Sequence, residues 1–367
     1  MGERPCGRGF EAGESMTSSA VTMRDVARLA GVSVATVSFV INGSKPVSDE
    51  TRQRVERAMA DAGYRRNVIA RALASKRTRV IGLLYPTGER AVQGSAFQFF
   101  TSAAAQAQAE GYTLVVSPTV GSDAELAELT GAGLIEGLVV MEVRAKDSRV
   151  DFLQAHGVPF ALVGRTEDVS GIAYVDIDFE VTVADALARL DALGHRDVLL
   201  LDTVTDPEDR GGYAPPLRVR SAFERIGRDL GMHTAAFGAS RTADAGFAAA
   251  GRVVAQHEAV TAVLVHDELL AAGLVAGLRA LGVRIPEDVS VGLIDSTADI
   301  ASMIDPRLDV WAVPGEQLGR QGVSALIDVL ERGGVAPSAQ NLVACRHVAG
   351  ASLAPRRQAI DLPEEPR

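Results

Sequence analysis

Residues 22–42 contain two short helical patterns separated by a tight turn, and this pairing constrains how the N-terminal part folds. Thr22 is followed three residues later by Asp25, and apolar side chains then recur at helical spacing, which predicts an N-capped helix. Gly31 ends that helix, because glycine readily adopts the backbone conformation of a tight turn. Ser33 is a suitable N-cap for the second helix. Two short helices joined in this way form a helix-turn-helix.

The second helix has two distinct faces, and its size suits the major groove of DNA. Val37 and Ile41 lie four residues apart and are predicted to pack inward. The opposite face carries Val34, Ala35, Ser38 and Asn42. Ser48 then caps a predicted third helix that runs to about Ala62, and residues 68–74 form a further short helical segment. The N-terminal part is therefore predicted to be an all-α, DNA-binding head.

Charge supports the same interpretation independently of the helical pattern. Residues 21–79 contain 12 lysines and arginines against 5 aspartates and glutamates, a net charge of +7. The whole chain carries −10, so the remainder carries −17. A basic segment on an acidic protein is typical of contact with DNA phosphates.

The segment VTMRDVARLAGVSVATVSFVINGSKPVSDETRQRVERAMADAGY (residues 21–64) resembles the DNA-binding head of the lactose-repressor (LacI/GalR) family of bacterial transcriptional regulators. The shared features are the string DVARLAGVS, the string TVS two residues later, and then VS-x-x-TR-x-x-V ahead of a hinge. Because these features occur together at fixed spacing, they are more specific than a bare helix-turn-helix. The resemblance implies a sequence-specific transcriptional regulator.

The resemblance also implies which side chains contact DNA. Val34 and Ala35 match the family's first two specificity positions, where apolar side chains can touch a thymine methyl group. Leu73 matches the hinge leucine that wedges into a minor-groove step, with ordinary packing as the alternative. Phe39 stands where many members carry a polar base reader, and Arg66 replaces a common proline. The predicted DNA contacts are Thr22, Ser33, Val34, Ala35, Thr36, Ser38, Phe39, Asn42, Asn67, Ala70, Arg71 and Leu73.

Composition limits the remaining possibilities. Residues 1–20 contain almost no apolar side chains and are predicted to be disordered, with Met16 as an alternative start. No segment has the hydrophobic core of a signal peptide or the length of a membrane span, which predicts a cytoplasmic protein without membrane contact. Cys6 and Cys345 lie at opposite ends of the chain and the six histidines are scattered. Neither a disulfide framework, a metal site nor a cofactor is therefore predicted.

From Val80 onward, short apolar strands alternate with longer helices, which predicts an α/β domain of parallel sheets with helices on both faces. The predicted strands cover residues 80–85, 113–117, 137–141, 160–163, 198–202, 261–265 and 289–294, with a final strand near 342–346. The predicted domains are a disordered extension (1–20), a helix-turn-helix domain (21–66), a hinge helix and linker (67–79), a two-lobed domain (80–355) and a disordered tail (356–367).

The α/β part is similar to the family's effector domain, which is itself like the periplasmic sugar-binding proteins. The matching strings are LGHR at residues 193–196, IPEDVSV at 285–291 and DPRL at 305–308. The resemblance implies two doubly wound parallel-sheet lobes of periplasmic-binding-protein type. It also implies a small-molecule effector, first of all a sugar or a derivative, bound between the lobes at the carboxyl ends of the strands.

Polar side chains just after predicted strands are the candidates for effector contacts. By resemblance, Asp295 and the pair Asp267 and Glu268 match the family's sugar-hydroxyl binders, since a carboxylate accepts hydrogen bonds from two neighbouring hydroxyls. An aspartate after a strand is also a common helix N-cap, which is the alternative for such residues. The predicted effector contacts are Phe97, Arg165, Asp178, Arg218, Arg220, Asp267, Glu268 and Asp295.

Three of these positions leave alternatives open. Arg165 either contacts the effector or bridges the lobes. One arginine of Arg218 and Arg220 is expected to point inward, and the sequence does not separate them. Phe97 lies near Gly94-Ser95-Ala96, which stands where the family carries an Asn-Pro-Phe-Phe-like segment. Trp311 is assigned to a crossing segment and to packing, with a ligand platform as the alternative.

The combined prediction is a homodimeric regulator that binds a pseudo-palindromic double-stranded operator, since two heads must meet two half-sites. Repression relieved by an inducer is the first expectation, and a corepressor is the alternative. A periplasmic solute-binding protein would have a signal peptide and no basic head. A sugar-acting enzyme is disfavoured, because no glycine-rich phosphate loop, G-x-S-x-G elbow or H-E-x-x-H string is present.

Overall fold

The chain divides into two structural units, residues 1–76 and residues 77–367. The computed structural model describes residues 21–42, 45–64, 77–85, 94–118, 122–203, 212–256, 259–333 and 339–356. The predicted extension at 1–20, residues 67–76 of the predicted hinge and linker, and the tail beyond residue 356 lie outside these described residues.

The described part of the first unit, here called the head (residues 21–42 and 45–64), contains three helices. They are α1 (Met23–Ala30), α2 (Val34–Asn42) and α3 (Asp49–Asp61). The Asp25 carboxylate accepts hydrogen bonds from the backbone N–H and the hydroxyl of Thr22, at 3.0 and 2.7 Å, and so secures the start of α1. Gly31 follows α1 with a φ of 62°, the left-handed conformation that glycine adopts without steric cost. The predicted helix-turn-helix is confirmed.

The head has its own small hydrophobic core, formed where the three helices meet. Val26, Val37 and Val55, one from each helix, are each 0% exposed. The other buried members are Ala27, Ala30, Val40, Ile41 and Ala58. Val37 and Ile41 point inward as predicted. Because so few side chains supply the burial, the fold of the head depends strongly on each of them.

The second unit contains two α/β lobes, of which the first is here called the N-lobe. Its strands are β1 (Val80–Leu84), β2 (Thr113–Ser117), β3 (Leu138–Val140), β4 (Phe160–Val163), β5 (Ala173–Ile177) and β11 (Gln340–Val343). Its helices are α4 (Gly94–Ala109), α5 (Asp123–Gly131), α6 (Ser148–Ala155) and α12 (Gly315–Glu331). The strands lie in the order β11-β5-β4-β3-β1-β2, and all neighbours are parallel. Side chains of α4 and α12 join one core cluster, and those of α5 and α6 join another.

The second lobe, here called the C-lobe, repeats this plan. Its strands are β6 (Asp197–Thr203), β7 (His233–Ala239), β8 (Ala262–Val265), β9 (Ser290–Ser296), β10 (Asp309–Ala312) and β12 (Arg346–Val348). Its helices are α7 (Phe179–Ala192), α8 (Ala214–Asp229), α9 (Ala243–Gln256), α10 (Glu268–Ala280) and α11 (Ala298–Met303). The strand order is β12-β10-β9-β8-β6-β7, with only the β10–β12 pair antiparallel. The predicted pair of doubly wound lobes is confirmed.

Three connections cross between the lobes within the described residues: β5 to α7, β10 to α12, and β11 to β12. In parallel sheets the connections at the carboxyl ends of the strands surround the ligand site. The crossings therefore define a cleft between the two sheets, with both sets of strand ends beside it.

The structure differs from the sequence prediction at several strands. Strands β5, β7 and β10 lie outside the predicted set; β7, with the sequence HTAAFGA, has too many small residues to give a strand signal. The prediction of one final strand near 342–346 is wrong, because β11 ends at Val343 in one sheet and β12 begins at Arg346 in the other. Trp311 lies in β10 rather than in a crossing segment.

No helix among the described residues combines the length and the apolar character needed to cross a membrane. The same residues contain no group of three or more His, Cys, Asp or Glu side chains placed to bind a metal ion.

Candidate functional site

The exposed face of α2 carries the predicted base contacts. Val34 is 43% exposed and Ala35 is also exposed, whereas Val37 on the opposite face is fully buried. Ser33 caps the helix, because its hydroxyl accepts a hydrogen bond from the backbone N–H of Thr36 at 3.0 Å. The two hydroxyls of these residues also lie 2.8 Å apart. The contacts of Ser33, Val34, Ala35 and Thr36 with DNA remain predictions.

Phe39, where the head departs from the family pattern, lies beside a lysine. The Nζ atom of Lys45 is 5.1 Å from the centre of the Phe39 ring, a cation–π distance. Thr22 and Ser38 also lie in the head, and Asn42 ends α2. The predicted hinge contacts Asn67, Ala70, Arg71 and Leu73 lie outside the described residues.

Arg54 of α3 holds the turn of the helix-turn-helix, a role that the sequence analysis missed. Its Nη2 atom donates to the backbone carbonyls of Ala30 and Gly31, at 2.6 and 3.1 Å. These carbonyls end α1 and are without partners inside that helix. Arg54 therefore links the third helix to the turn that aims α2.

A cavity of about 60 Å³ lies between the two lobes of the second unit. Its charged and polar lining comes from both sides: Glu142, Arg165 and Asp176 from the N-lobe, and Tyr213, Arg218 and Asp295 from the C-lobe. Phe99, Phe179 and Val313 contribute apolar walls. This is the position at which open α/β sheets bind small molecules.

Asp176 is the centre of the ion pairs in this cavity. Its Oδ2 atom accepts from Nη1 of Arg218 at 2.7 Å and lies 3.2 Å from Nε of Arg165. Arg218 also donates from Nη2 to the backbone carbonyl of Arg165 at 2.6 Å. Burial raises the pKa of Asp176 to about 6, although the guanidinium groups of Arg218 and Arg165 act in the opposite direction.

Asp295 faces the same cavity from the C-lobe. It lies inside β9 rather than after it, with a φ of 61°, which is uncommon for a residue other than glycine. Its Oδ2 atom is 3.3 Å from Nε2 of His266, a residue that is only 5% exposed. Among the described residues, Nδ1 of His266 has no hydrogen-bond partner. Glu142, on the N-lobe side, also has a positive φ, 53°. Strained residues of this kind are concentrated at functional sites.

The structure brings three of the eight predicted effector residues to the cavity: Arg165, Arg218 and Asp295. Arg165 pairs with Asp176 of its own lobe, and Arg218 is the arginine that crosses between lobes. Arg220 instead pairs with Asp202, at 2.9 and 2.6 Å. The structure thus separates the two arginines that the sequence left open.

The other predicted residues have different neighbours. Asp178 caps α7 by accepting from the backbone N–H of Val181 at 3.0 Å. Asp267 caps α10 in the same way and also accepts from Nε of Arg241 at 2.6 Å. The carboxylate of Glu268 accepts from the Ser296 hydroxyl at 3.2 Å, and Phe97 is 70% exposed. The N-cap alternative therefore describes Asp178 and Asp267.

Three polar residues of this site, Glu142, Asp176 and Tyr213, were not predicted from the sequence, and Asp176 is the one among them that pairs with both arginines. It lies within β5, whose sequence AYVDI is buried throughout. A carboxylate in a buried apolar strand requires charged or hydrogen-bonding partners, since burial without them is costly. That signal was available in the sequence, but it does not identify the partners.

The raised pKa of Asp176 predicts how stability depends on pH. Between about pH 4 and pH 6, the folded chain holds a proton on Asp176 that the unfolded chain has released. The free energy of unfolding should therefore fall as pH rises through this window, by on the order of 2 kcal/mol from this group. Urea unfolding at pH 4, 5, 6 and 7, for the parent and for Asp176→Asn, measures the effect.

The Asp176→Asn variant serves as the reference because it cannot titrate at this position. The difference in unfolding free energy between variant and parent should change across pH 4–6 and be constant above about pH 7. An equal pH dependence in the two proteins would contradict the assignment.

Comparison with known proteins agrees with this architecture. Residues 22–67 match the family described as "Bacterial regulatory proteins, lacI family", and residues 187–353 match the "Periplasmic binding protein-like domain". The HTH-type transcriptional regulator CelR of Thermobifida fusca is 32% identical over 316 residues, which cover 84% of this chain and 91% of that protein. Catabolite control protein A of Priestia megaterium is 27% identical over 325 residues, covering 85% and 93%.

A solved structure shows the same relationship. The lac repressor dimer bound to operator and the anti-inducer ONPF matches with a TM-score of 0.75 and 25% identity, over 92% of this chain and 100% of that chain. A helix-turn-helix head followed by two such lobes is the architecture of a DNA-binding transcriptional regulator. The chain belongs to the lacI family of bacterial regulatory proteins. Its relatives are transcriptional regulators rather than enzymes.

Proposed function

We propose that this regulator binds a pseudo-palindromic operator as a homodimer, and that a small molecule in the interlobe cavity controls its operator affinity. The observation that carries the proposal is the cavity itself, which charged side chains from both lobes line at the carboxyl ends of the strands. A ligand that contacts both lobes changes their relative arrangement, because its binding energy depends on how the lobes close.

The effector is a sugar or a sugar derivative. Asp295 accepts hydrogen bonds from neighbouring hydroxyls, and Arg165 and Arg218 donate to ring or hydroxyl oxygens. Phe99 and Phe179 offer apolar surface for the carbon face of such a ring. Phe97, Asp178, Arg220, Asp267 and Glu268 remain predicted contacts with less support, since the cavity lining does not include them.

On the DNA side, Val34, Ala35 and Phe39 read base edges, and Thr36 and Ser38 position the helix on the phosphates. Effector and operator are linked by a coupling free energy, so each changes the affinity for the other by the same factor. We propose that the protein is a repressor and that binding of an inducer relieves the repression. The lac repressor dimer, solved with both operator and the anti-inducer ONPF bound, supports a protein of this architecture that holds DNA and a small molecule at the same time.

The test measures binding of the full chain to the DNA upstream of its own gene, in several salt concentrations and with a panel of sugars that includes cellobiose. We expect protection of a palindrome, an affinity that falls steeply with salt, and one sugar that changes it. Absence of sequence-specific binding under every condition would overturn the DNA part of the proposal.

Asp295→Asn tests the cavity. Asparagine tolerates a positive φ, so the backbone of β9 is retained while the carboxylate is lost. The variant should bind operator normally and respond to the effective sugar at least about tenfold less, the loss expected for a hydrogen bond to a charged group. Asp305→Asn is the matched control, because this C-lobe carboxylate is 84% exposed and lies outside the cavity lining. Equal responses in the two variants would reject this site.

A further inference from the structure

The two lobes are held together by contacts of the chain with itself. The Arg218 guanidinium, on the first turns of α8 in the C-lobe, reaches the Asp176 carboxylate and the Arg165 carbonyl of the N-lobe, at 2.7 and 2.6 Å. The Arg218 side chain is 20% exposed and that of Asp176 is 5% exposed. Water therefore competes little for these hydrogen bonds, which makes them stronger than an exposed ion pair.

Backbone hydrogen bonds join the lobes beside this ion pair. Residues Arg144 and Tyr213 form an antiparallel bridge. The N–H of Ala145 donates to the carbonyl of Gly212 at 2.9 Å, and that of Ala214 donates to the carbonyl of Val143 at 3.4 Å. The bridge thus pairs a loop of the N-lobe with the segment that leads into α8. We call these two sets of contacts together the interlobe clasp.

The clasp shares its charged groups with the cavity. Arg165, Asp176 and Arg218 all belong to the cavity lining. An effector that accepts hydrogen bonds from Arg165 or Arg218 therefore competes with Asp176 for the same donors.

We propose that Asp176 is a positioning residue that draws Arg218 into the N-lobe and keeps the cleft closed when no effector is bound. An effector that bonds to Arg218 has to displace Asp176 from it, so part of the effector's binding energy offsets the loss of these contacts. The inference goes beyond the proposed effector site, because it holds whatever small molecule the cavity accepts.

The charges around Asp176 explain why this residue controls the attraction between the two lobes. Arg165 and Arg218 both face its carboxylate, and Asp295 and Glu142 are the other acidic groups of the cavity lining. Without the negative charge of Asp176, two guanidinium groups would oppose each other across the cleft. Loss of this one carboxylate therefore removes an attraction between the lobes and introduces a repulsion.

The test needs no effector. Cysteines placed at Arg144 and Tyr213, in a Cys6→Ser background, report closure through the rate of disulfide formation with a mild oxidant. Paired residues of an antiparallel bridge lie within disulfide reach only when the lobes are closed. The remaining native thiol, Cys345, is buried. In the full chain that carries only these three substitutions, we expect the cross-link to form rapidly.

Adding Asp176→Asn should slow the cross-linking at least about tenfold, as expected for loss of a buried charge-assisted pair. Asp176→Glu keeps the carboxylate and should restore at least part of the rate. Asp168→Asn, an exposed change in the same lobe, is the matched control and should leave the rate unaltered. Circular dichroism well below the melting temperature checks that every variant is folded.

Equal rates for Asp176→Asn and the parent would overturn the proposal, as would a rate for Asp176→Glu that falls as low as that of Asp176→Asn. Neither result touches the proposed effector site, which is tested separately by the Asp295→Asn response.

Discussion

Replacement of Val37 by aspartate should abolish operator binding while the second unit stays folded. Val37 is 0% exposed and lies among only eight buried side chains of the head. An ionised carboxylate there has no partner, and its burial costs several kcal/mol. Since the head forms a separate unit, its unfolding should reduce the fraction of binding-competent protein, and with it the apparent operator affinity, by at least about 100-fold.

The measurement combines an operator-binding titration with thermal unfolding followed by circular dichroism. Ala60→Asp is the matched control, because Ala60 is an exposed residue of α3 in the same unit. This variant should keep its head folded and lose only about 1 kcal/mol, because aspartate has a lower helix propensity than alanine and lies in the last turn of α3. Operator binding by Val37→Asp at the parental level would show that the described packing of α2 is incorrect.

Replacement of Trp311 by alanine should lower the free energy of unfolding of the second unit by about 3–5 kcal/mol. Trp311 is 0% exposed, and its ring lies 4.9 Å from that of His347, centre to centre. Its Nε1 atom donates to Oδ2 of Asp185 at 2.7 Å. A Cβ atom at Gly292 would lie 3.0 Å from the indole ring, which shows how closely the neighbouring strand packs.

Urea unfolding followed by circular dichroism measures this loss, because the variant has no tryptophan fluorescence. Met303→Ala serves as the control, since Met303 is 77% exposed. We expect that change to cost less than about 0.5 kcal/mol. A loss of under about 1 kcal/mol for Trp311→Ala would favour the alternative role of this residue as a ligand platform over packing.

Trp311 illustrates which property of a single residue can be predicted from the sequence and which cannot. A lone tryptophan in an apolar segment is expected to pack, and the structure places it in the core. Its strand is less evident from the sequence, because β10 has only four residues, Asp309–Ala312. A stretch so short carries too little periodicity to predict its partner strands.

The helices of the head could be predicted almost to the residue, because their signals are local. The Thr22–Asp25 cap, the turn at Gly31 and the cap at Ser48 each depend on neighbours three or fewer residues away. The long strands of the two lobes were also predictable, since each is an apolar run bounded by turn residues. The resemblance to the lacI family added the prediction that a DNA-binding head is followed by two lobes.

The sequence by itself therefore determined the helix-turn-helix, the α/β character of the rest and the general position of the cleft. The tertiary structure alone decided which charged groups meet there. Asp176 and Arg218 are 42 residues apart, and their contact exists only because two separate sheets face each other across the cleft. The same holds for the split between β11 and β12, which depends on the sheet that each segment joins. Sequence patterns reflect interactions between residues that are close together in the chain. These pairings instead depend on how elements that are distant in the chain pack against each other.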